Sequence, residues 1–255
     1  MAQDNTVQSV KRAMMILEEL ATEKEGLGVT ELAKRINLHK STVHRMLNTL
    51  LDIGYVEQNL ASEKYRLGMK ILFLGGTILE RMDIRHEAHD LLEELSEKVN
   101  ETVHLVVLDG YRAIYIDKMD SNKTIRMHSQ IGRIAPLHAS AVGKAILAFS
   151  EDVFIKELIE RGLEKFTSNT ITEPKDLLRH LKMIRERGFS VDDEENEEGI
   201  RCVGAPIFNY TGKVIGAVSV SGPTVTVTQE RINQISESVI DCAKKISHRM
   251  GWKDK

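Results

Sequence analysis

Apolar side chains recur every three or four residues along the start of this chain, the spacing that turns one side of a helix toward a core. Val10, Ala13, Met14, Ile16, Leu17 and Leu20 form the first such stripe, with Ser9 placed to cap it. Leu32, Ala33 and Ile36 form a second, capped by Thr30 and ending near Asn37. Asn37, Leu38 and His39 break the period. Ser41 or Thr42 opens a third helix carrying Val43, Met46, Leu47, Leu50 and Leu51, and Gly54 suits the left-handed position that closes it. So short a break forces the second and third helices to cross steeply, which leaves the outer face of the third turned away from the core. Tyr55–Gln58 and Tyr65–Leu67 then read as two strands around a polar turn at 59–64, a hairpin wing. Three helices and a wing are expected to end near Gly68.

The pattern changes after that point. Met69 to Glu80 (MKILFLGGTILE) is apolar on several sides and predicts a linker helix, its glycine pair marking either a hinge or, the preferred reading, a close helix contact. Ala88, Leu91, Leu92, Leu95 and Val99 make another helical stripe. Thr102–Leu108 and Ala113–Met119 are β-prone runs joined at Asp109-Gly110, a strong hairpin signal. Helices are expected at 140–149, 152–161 and 174–187, the last with proline in its first turn. Val203–Phe208 and Val214–Val220 predict a second hairpin. A final helix starts at Thr228 or Gln229 and buries Ile232, Ile235, Val239, Ile240, Ala243 and Ile246. Helices beside an antiparallel sheet define an α+β fold, able to enclose a small-molecule pocket.

Charge sharpens the first part. Between Ala33 and Asn48 the chain carries Lys34, Arg35, Lys40 and Arg45 beside His39 and His44, with no carboxylate. Such an excess attracts phosphate, and a helix-turn-helix of this form lays its second helix in the major groove of DNA. The candidate DNA-binding residues are Thr30, Lys40, Ser41, Thr42, His44, Arg45 and Asn48, with Arg66 reaching phosphate from the wing. Thr42, His44 and Arg45 are the candidates for base contact.

Composition sets the outer limits. A chain of 255 residues accommodates two cores, and its net charge of −3 excludes a general polycation, so DNA binding must come from the local patch. Cys202 and Cys242 lie too far apart for a disulfide framework or a zinc ribbon. No run approaches the ~20 apolar residues of a membrane span, and the opening MAQDNTVQSVKR has no apolar signal core. A cytoplasmic protein without membrane partner is expected.

Six stretches in order carry a resemblance: SVKRAMMILEELA, LHKSTVHRMLNTL, the wing ending YRLG, LHASAVGKAILA, VDDEENEEGIRCVGAPIF and VIGAVSVSGP. Over nearly its full length the chain resembles the IclR family of bacterial transcriptional regulators. The resemblance implies a winged helix-turn-helix DNA-binding domain at 1–69, a linker helix at 70–84, and a GAF-like effector-binding and oligomerisation domain at 85–255. It also implies dimerisation through the DNA-binding half and further assembly into tetramers. The expected partners are a palindromic double-stranded operator and a small carboxylate effector, with no cofactor, no metal and no enzymatic activity. Carried over by position, the effector pocket would be built from Met127, Ser140, Ala141, Val142, Asp192, Cys202, Ser219 and Ser221.

These residues also make chemical sense by themselves. Small side chains at 139–142 begin a helix, where free amides favour an anion. Ser219 and Ser221 alternate with Val218 and Val220, so both hydroxyls share one strand face. Asp192 would accept a hydroxyl from the ligand's far end. Glu194, Glu195, Glu197 and Glu198 read as a solvated loop.

Enzyme-like readings fare worse. Gly143-Lys144 resembles the end of a phosphate loop, but His138 replaces its first glycine and Ala145 the magnesium-binding hydroxyl. His138 and Ser140 lack a nucleophile elbow around them. A zinc site from His138, Asp192 and Cys202 requires three distant positions to converge. A ligand-independent architectural DNA-binding protein and a metabolic enzyme with a DNA-binding appendage are the competing classes. Neither has support in particular residues.

Overall fold

A computed structural model describes residues 7–80, 83–121 and 129–253. The chain forms two compact units that divide between Arg81 and Met82.

In the first unit, α1 (Gln8–Ala21), α2 (Val29–Arg35) and α3 (Lys40–Asp52) are followed by the paired strands β1 (Val56–Gln58) and β2 (Tyr65–Leu67), then α4 (Met69–Glu80). The stripes seen in the sequence meet here: Ile16, Leu20, Leu32, Val43, Leu47 and Leu50 are buried in one core with Val56 and Tyr65 of the wing. Full burial of each such aliphatic side chain stabilises by about 1.5–3 kcal/mol over exposure. Leu27 exchanges two 2.9 Å backbone hydrogen bonds with Tyr65, adding a third short segment to the wing.

The helix ends correct the sequence reading. Ser9 is not the cap of α1, which begins after Val7; Thr30 lies inside α2, which begins after Gly28; Ser41 and Thr42 lie inside α3, which begins after His39. None of these starts has a side-chain cap, so turn geometry, rather than a capping hydroxyl, fixes them. The far ends have a clearer cause. Asn37 takes a left-handed φ of 52°, and the amides of Asn37 and Leu38 close onto the carbonyls of Lys34 and Ala33. Gly54, at φ 81°, does the same after α3 through Gly54 N–H to Leu51 and Tyr55 N–H to Leu50. Both are Schellman closures, and the first stops α2 at Arg35, short of Asn37.

The second unit opens with α5 (Asp83–Val99) and contains one six-stranded antiparallel sheet in the order β5-β4-β3-β8-β7-β6. Its strands are β3 (Thr102–Asp109), β4 (Arg112–Met119), β5 (Ile134–Ala135), β6 (Ser190–Asp193), β7 (Ile200–Phe208) and β8 (Val214–Pro223). Between β5 and β6 come α6 (Ala141–Ala148), α7 (Asp152–Glu160) and α8 (Pro174–Arg187); α9 (Ile232–Arg249) closes the chain. Val103, Leu105, Val203, Val218 and Val220 face α5 and α9 in one core. Val106, Ala113, Val214 and Ala217 face α6, α7 and α8 in the other.

Two strands escape the sequence reading. β5 is two residues long, too short for a periodic signal. β6 ends where the expected acidic loop begins, and its two inward residues, Ser190 and Asp192, are too few to show a strand period. The expected solvated loop is corrected at its centre: Glu195 is buried, only 5% exposed.

Candidate functional site

Two polar surfaces stand out, one in each unit. On α3, Lys40, Ser41, His44, Arg45 and Asn48 are exposed on the side away from Val43, Leu47 and Leu50, with Thr42 half-buried beside them. Lys40, His44 and Arg45 have no hydrogen-bond or ion-pair partner among the described residues, so their charges and donors are open to an incoming acceptor. Arg35, from the same cationic window, is different: its guanidinium is held by Glu23 at 2.9 Å and Glu31 at 2.8 Å, with Glu19 at 3.7 Å. It braces α2 and is not part of the open surface. Thr30 is exposed on α2, and Arg66 on the wing pairs across the strands with Glu57 at 3.1 Å.

The second surface is a cavity of about 170 Å³ between the sheet and the start of α6. Strand register builds it. Thr102, Ser221, Cys202 and Asp192 form one cross-strand row over β3, β8, β7 and β6, and His104, Ser219, Gly204 and Ser190 form the next. Because side chains two apart share a face, these polar rows present together on the α6 side. Gly204 makes the approach of α6 possible, since a side chain there would meet the Ala141 backbone at about 3.0 Å. Ser190 Oγ then donates to Ala141 O at 2.6 Å and fixes the helix start.

At that start Ser140 is the N-cap: its Oγ accepts from Gly143 N–H at 3.1 Å and donates to Pro136 O at 2.7 Å. The N–H groups of Ala141 and Val142 have no acceptor among the described residues, and both residues line the cavity. Gly143 is obligatory, because a Cβ would lie 2.5 Å from Leu137 Cα and from Pro136 O. Opposite, Asp192 Oδ1 accepts from Glu195 N–H at 2.8 Å and Asn196 N–H at 3.3 Å. Its other oxygen has no hydrogen-bond partner among the described residues. Burial pushes the Asp192 carboxyl up to about 7, against the nearby Lys144 charge, which pulls it down.

His104 crosses the cavity floor. Its Nε2 lies 2.6 Å from Ser129 Oγ and its Nδ1 3.3 Å from Ser221 Oγ. Burial lowers its pKa to about 3, aided by the Lys118 charge, so the ring is neutral and one nitrogen donates while the other accepts. Tyr115 stands edge-on to it with ring centroids 5.1 Å apart.

Of the residues expected in the pocket, Ser140, Ala141, Val142, Asp192, Cys202, Ser219 and Ser221 all line this one cavity. Met127 lies outside the described residues. His138 is not at the cavity: its Nε2 meets Glu164 O at 2.8 Å, which removes it from any joint site with Asp192 and Cys202. Sequence reasoning missed His104, Tyr115, Ser129 and Arg133. His104 had a signal, as the one imidazole in an otherwise apolar strand, whereas Arg133 enters from an irregular segment that no periodicity marks.

A winged helix-turn-helix with an open cationic helix, in one chain with a second unit that holds a polar cavity, is the arrangement of a DNA-binding regulator. The comparisons narrow this. Residues 9–60 match the IclR helix-turn-helix domain, and residues 76–248 match the C-terminal domain of the bacterial transcriptional regulator IclR. The chain is 41% identical over 254 residues to the HTH-type transcriptional regulator KdgR of Escherichia coli, covering 99% of this chain and 96% of that one. It resembles the crystal structure of the Thermotoga maritima IclR at a TM-score of 0.78 and 36% identity, covering 97% and 100% of the two chains. An IclR homologue from Microbacterium hydrocarbonoxydans, solved with 4-hydroxybenzoate, shares the fold at a TM-score of 0.81 and 23% identity, over 95% and 98% of the chains. The chain belongs to the IclR family of DNA-binding transcriptional regulators, a family of regulators and not of enzymes. No described helix is long and apolar enough to cross a membrane.

Proposed function

We propose that this regulator binds a palindromic operator as a dimer and that a small organic acid in the second-unit cavity modulates that binding. The observation that carries the effector reading is the pairing of two unsatisfied amides at the start of α6 with an open carboxylate oxygen of Asp192 across the same cavity. The amide end suits a ligand carboxylate, the more so with Arg133 on the lining. Asp192, Ser219 and Ser221 suit hydroxyl or keto oxygens at the other end. At about 170 Å³ the cavity is below the roughly 300–1,000 Å³ of drug-sized sites, which favours a short keto acid, sugar acid or single-ring aromatic acid. The homologue holding 4-hydroxybenzoate supports this class of ligand.

Thr30, Lys40, Ser41, Thr42, His44, Arg45, Asn48 and Arg66 make the DNA contacts in this reading. The exposed apolar groups of α1 and α4, among them Val10, Met14, Leu72 and Phe73, supply the dimer contact, with pairs of dimers forming tetramers. Repression is the expected direction, since several relatives are named as repressors. The test joins two measurements on the full chain. Thermal shift against pyruvate, gluconate and 4-hydroxybenzoate should give at least one stabilising acid that Ser219→Ala loses. Fluorescence anisotropy on a palindromic upstream fragment should show binding that Arg45→Ala weakens. Stabilisation by no acid, together with sequence-independent DNA binding, would instead identify an architectural protein.

A further inference from the structure

α6 reads AVGKAILA, and its single charged residue, Lys144, has no solvent exposure. Its Nζ meets Glu195 Oε1, while Glu195 Oε2 is buried without a hydrogen-bond partner among the described residues. Withdrawing two charges from water is costly, and an apolar pair of similar volume would fill this space with less penalty. The pair therefore asks for a reason beyond packing.

The chain around Glu195 supplies one. Glu194 turns left-handed at φ 59°. The Glu195 carbonyl accepts from Thr170 Oγ1 at 2.6 Å and Thr167 Oγ1 at 3.2 Å, and Thr167 also reaches Glu194 O at 2.7 Å. The loop is thus fastened by its main chain to the 167–170 turn and by one side chain to α6. From this fastened position, the amides of Glu195 and Asn196 hold one oxygen of Asp192 and leave the other open.

We infer that Lys144 and Glu195 are positioning residues of the cavity: their ion pair locks the 194–196 loop to α6 and so sets the span between the free amides of Ala141 and Val142 and the open oxygen of Asp192. The functional consequence rests on the effector reading given above; the geometry of the lock does not. A ligand has to bridge that span, so the pair governs which length of acid fits, without touching it.

Among the described residues, Lys144 from α6, Glu195 from the loop, Cys202 from β7 and Tyr115 from β4 interact electrostatically with Asp192, and Arg133, His104 and Glu197 line the same cavity. Among them Lys144 favours the ionised carboxylate and Glu195 disfavours it. Removing either charge must therefore move the Asp192 titration in opposite directions, which a purely structural prop would not do.

Amide hydrogen exchange of the ligand-free full-length protein, followed from pH 5 to 9 and corrected for intrinsic rates, reads this directly. Protection of the Glu195 and Asn196 amides should fall as Asp192 takes up its proton, with a midpoint near 7. In Lys144→Met the midpoint should rise and these amides should exchange roughly tenfold faster while β7 and β8 are unchanged. In Glu195→Gln, which keeps an acceptor for Lys144, the midpoint should fall. The apolar double variant Lys144→Met/Glu195→Leu guards against loss of folding, and should keep wild-type stability to urea yet retain fast loop exchange. Midpoints that move together or not at all, or wild-type loop protection in the double variant, would overturn the inference. A wild-type chain that no carboxylate probe stabilises counts against the effector reading alone, and the loop exchange decides the positioning role in either case.

Discussion

The polar face of α3 and the polar cavity of the second unit treat their side chains in opposite ways. Lys40, His44 and Arg45 stand in solvent with no partner for their side chains among the described residues, whereas Ser140, His104 and Asp192 are each held by a hydrogen bond. A surface that meets phosphate exchanges water and counterions for it, so free side chains cost little and adapt to the groove. A cavity that meets a small acid has no such reserve of area, so its donors must already point the right way. Substitutions on α3 should then change DNA affinity and leave stability alone, while substitutions around the cavity should change stability and the response to ligand.

The strongest challenge to this contrast comes from Asp192. Burial raises its folded pKa to about 7 from an ordinary 3.8, so between those values the folded state keeps a proton that the unfolded chain has released. Stability should therefore fall as pH rises through that window, by up to roughly 4 kcal/mol relative to Asp192→Asn, which cannot ionise. Urea denaturation of the two proteins at pH 4.5 and pH 8 checks it, and parallel curves would break the claim that this carboxyl is desolvated. Gly143→Ala comes next. With backbone 2.5 Å from the new methyl, α6 must shift, at a cost of about 3 kcal/mol and with loss of ligand-induced stabilisation. Chemical denaturation with and without a stabilising acid separates the two effects.

On the other side of the comparison, Arg45→Ala should weaken specific operator binding by about 1–3 kcal/mol and leave the melting temperature unchanged. Lys40→Ala should instead weaken all DNA equally and reduce the salt slope by about one, as anisotropy titrations between low and moderate salt would show. A stability loss in either variant would mean that the face is less free than its geometry indicates. The smallest effect belongs to the linker. Gly75 and Gly76 sit inside α4 with nothing within 4 Å of an added Cβ, so Gly75→Ala should stabilise the isolated helix by roughly 0.5–1 kcal/mol. Loss of dimer in the same variant, read by sedimentation, would identify the glycines as a close contact between copies.

The same contrast explains what the sequence made legible. The face of α3 is a local property: the period of Val43, Leu47 and Leu50 fixes which residues point outward, and the absence of carboxylates from 33 to 48 is visible in one line. Even so, Arg35 belonged to that window and proved to be bound to three glutamates, one of them on a different helix, which no local pattern announces. In the cavity, Ser219 and Ser221 were readable from strand alternation, and Ser140 from its place before a run of small helical residues. Asp192, Cys202, Ser219 and Ser221 converge because three strands align in register, and that grouping was supplied by family resemblance rather than by spacing. The lysine of α6 and its glutamate show the limit most plainly. Lys144 reads as a poor phosphate loop and Glu195 as one solvated acid among several, since neither burial nor partnership leaves a trace at the level of single residues. Helix starts failed for a related reason: Ser9, Thr30 and Ser41 have capping chemistry, but backbone turns with no capping side chain begin all three helices.

The central claim is that occupancy of the cavity and occupancy of DNA are coupled. Any acid that stabilises the protein should, at saturation, change the affinity for the palindromic fragment by roughly 5- to 150-fold in the wild type. The measurement is an operator titration with and without that acid, made in parallel on wild type and Ser219→Ala. A shift is expected in the wild type and none in Ser219→Ala, whose DNA affinity without ligand stays at the wild-type value. An acid that stabilises the wild-type chain yet leaves its operator affinity unmoved would contradict it.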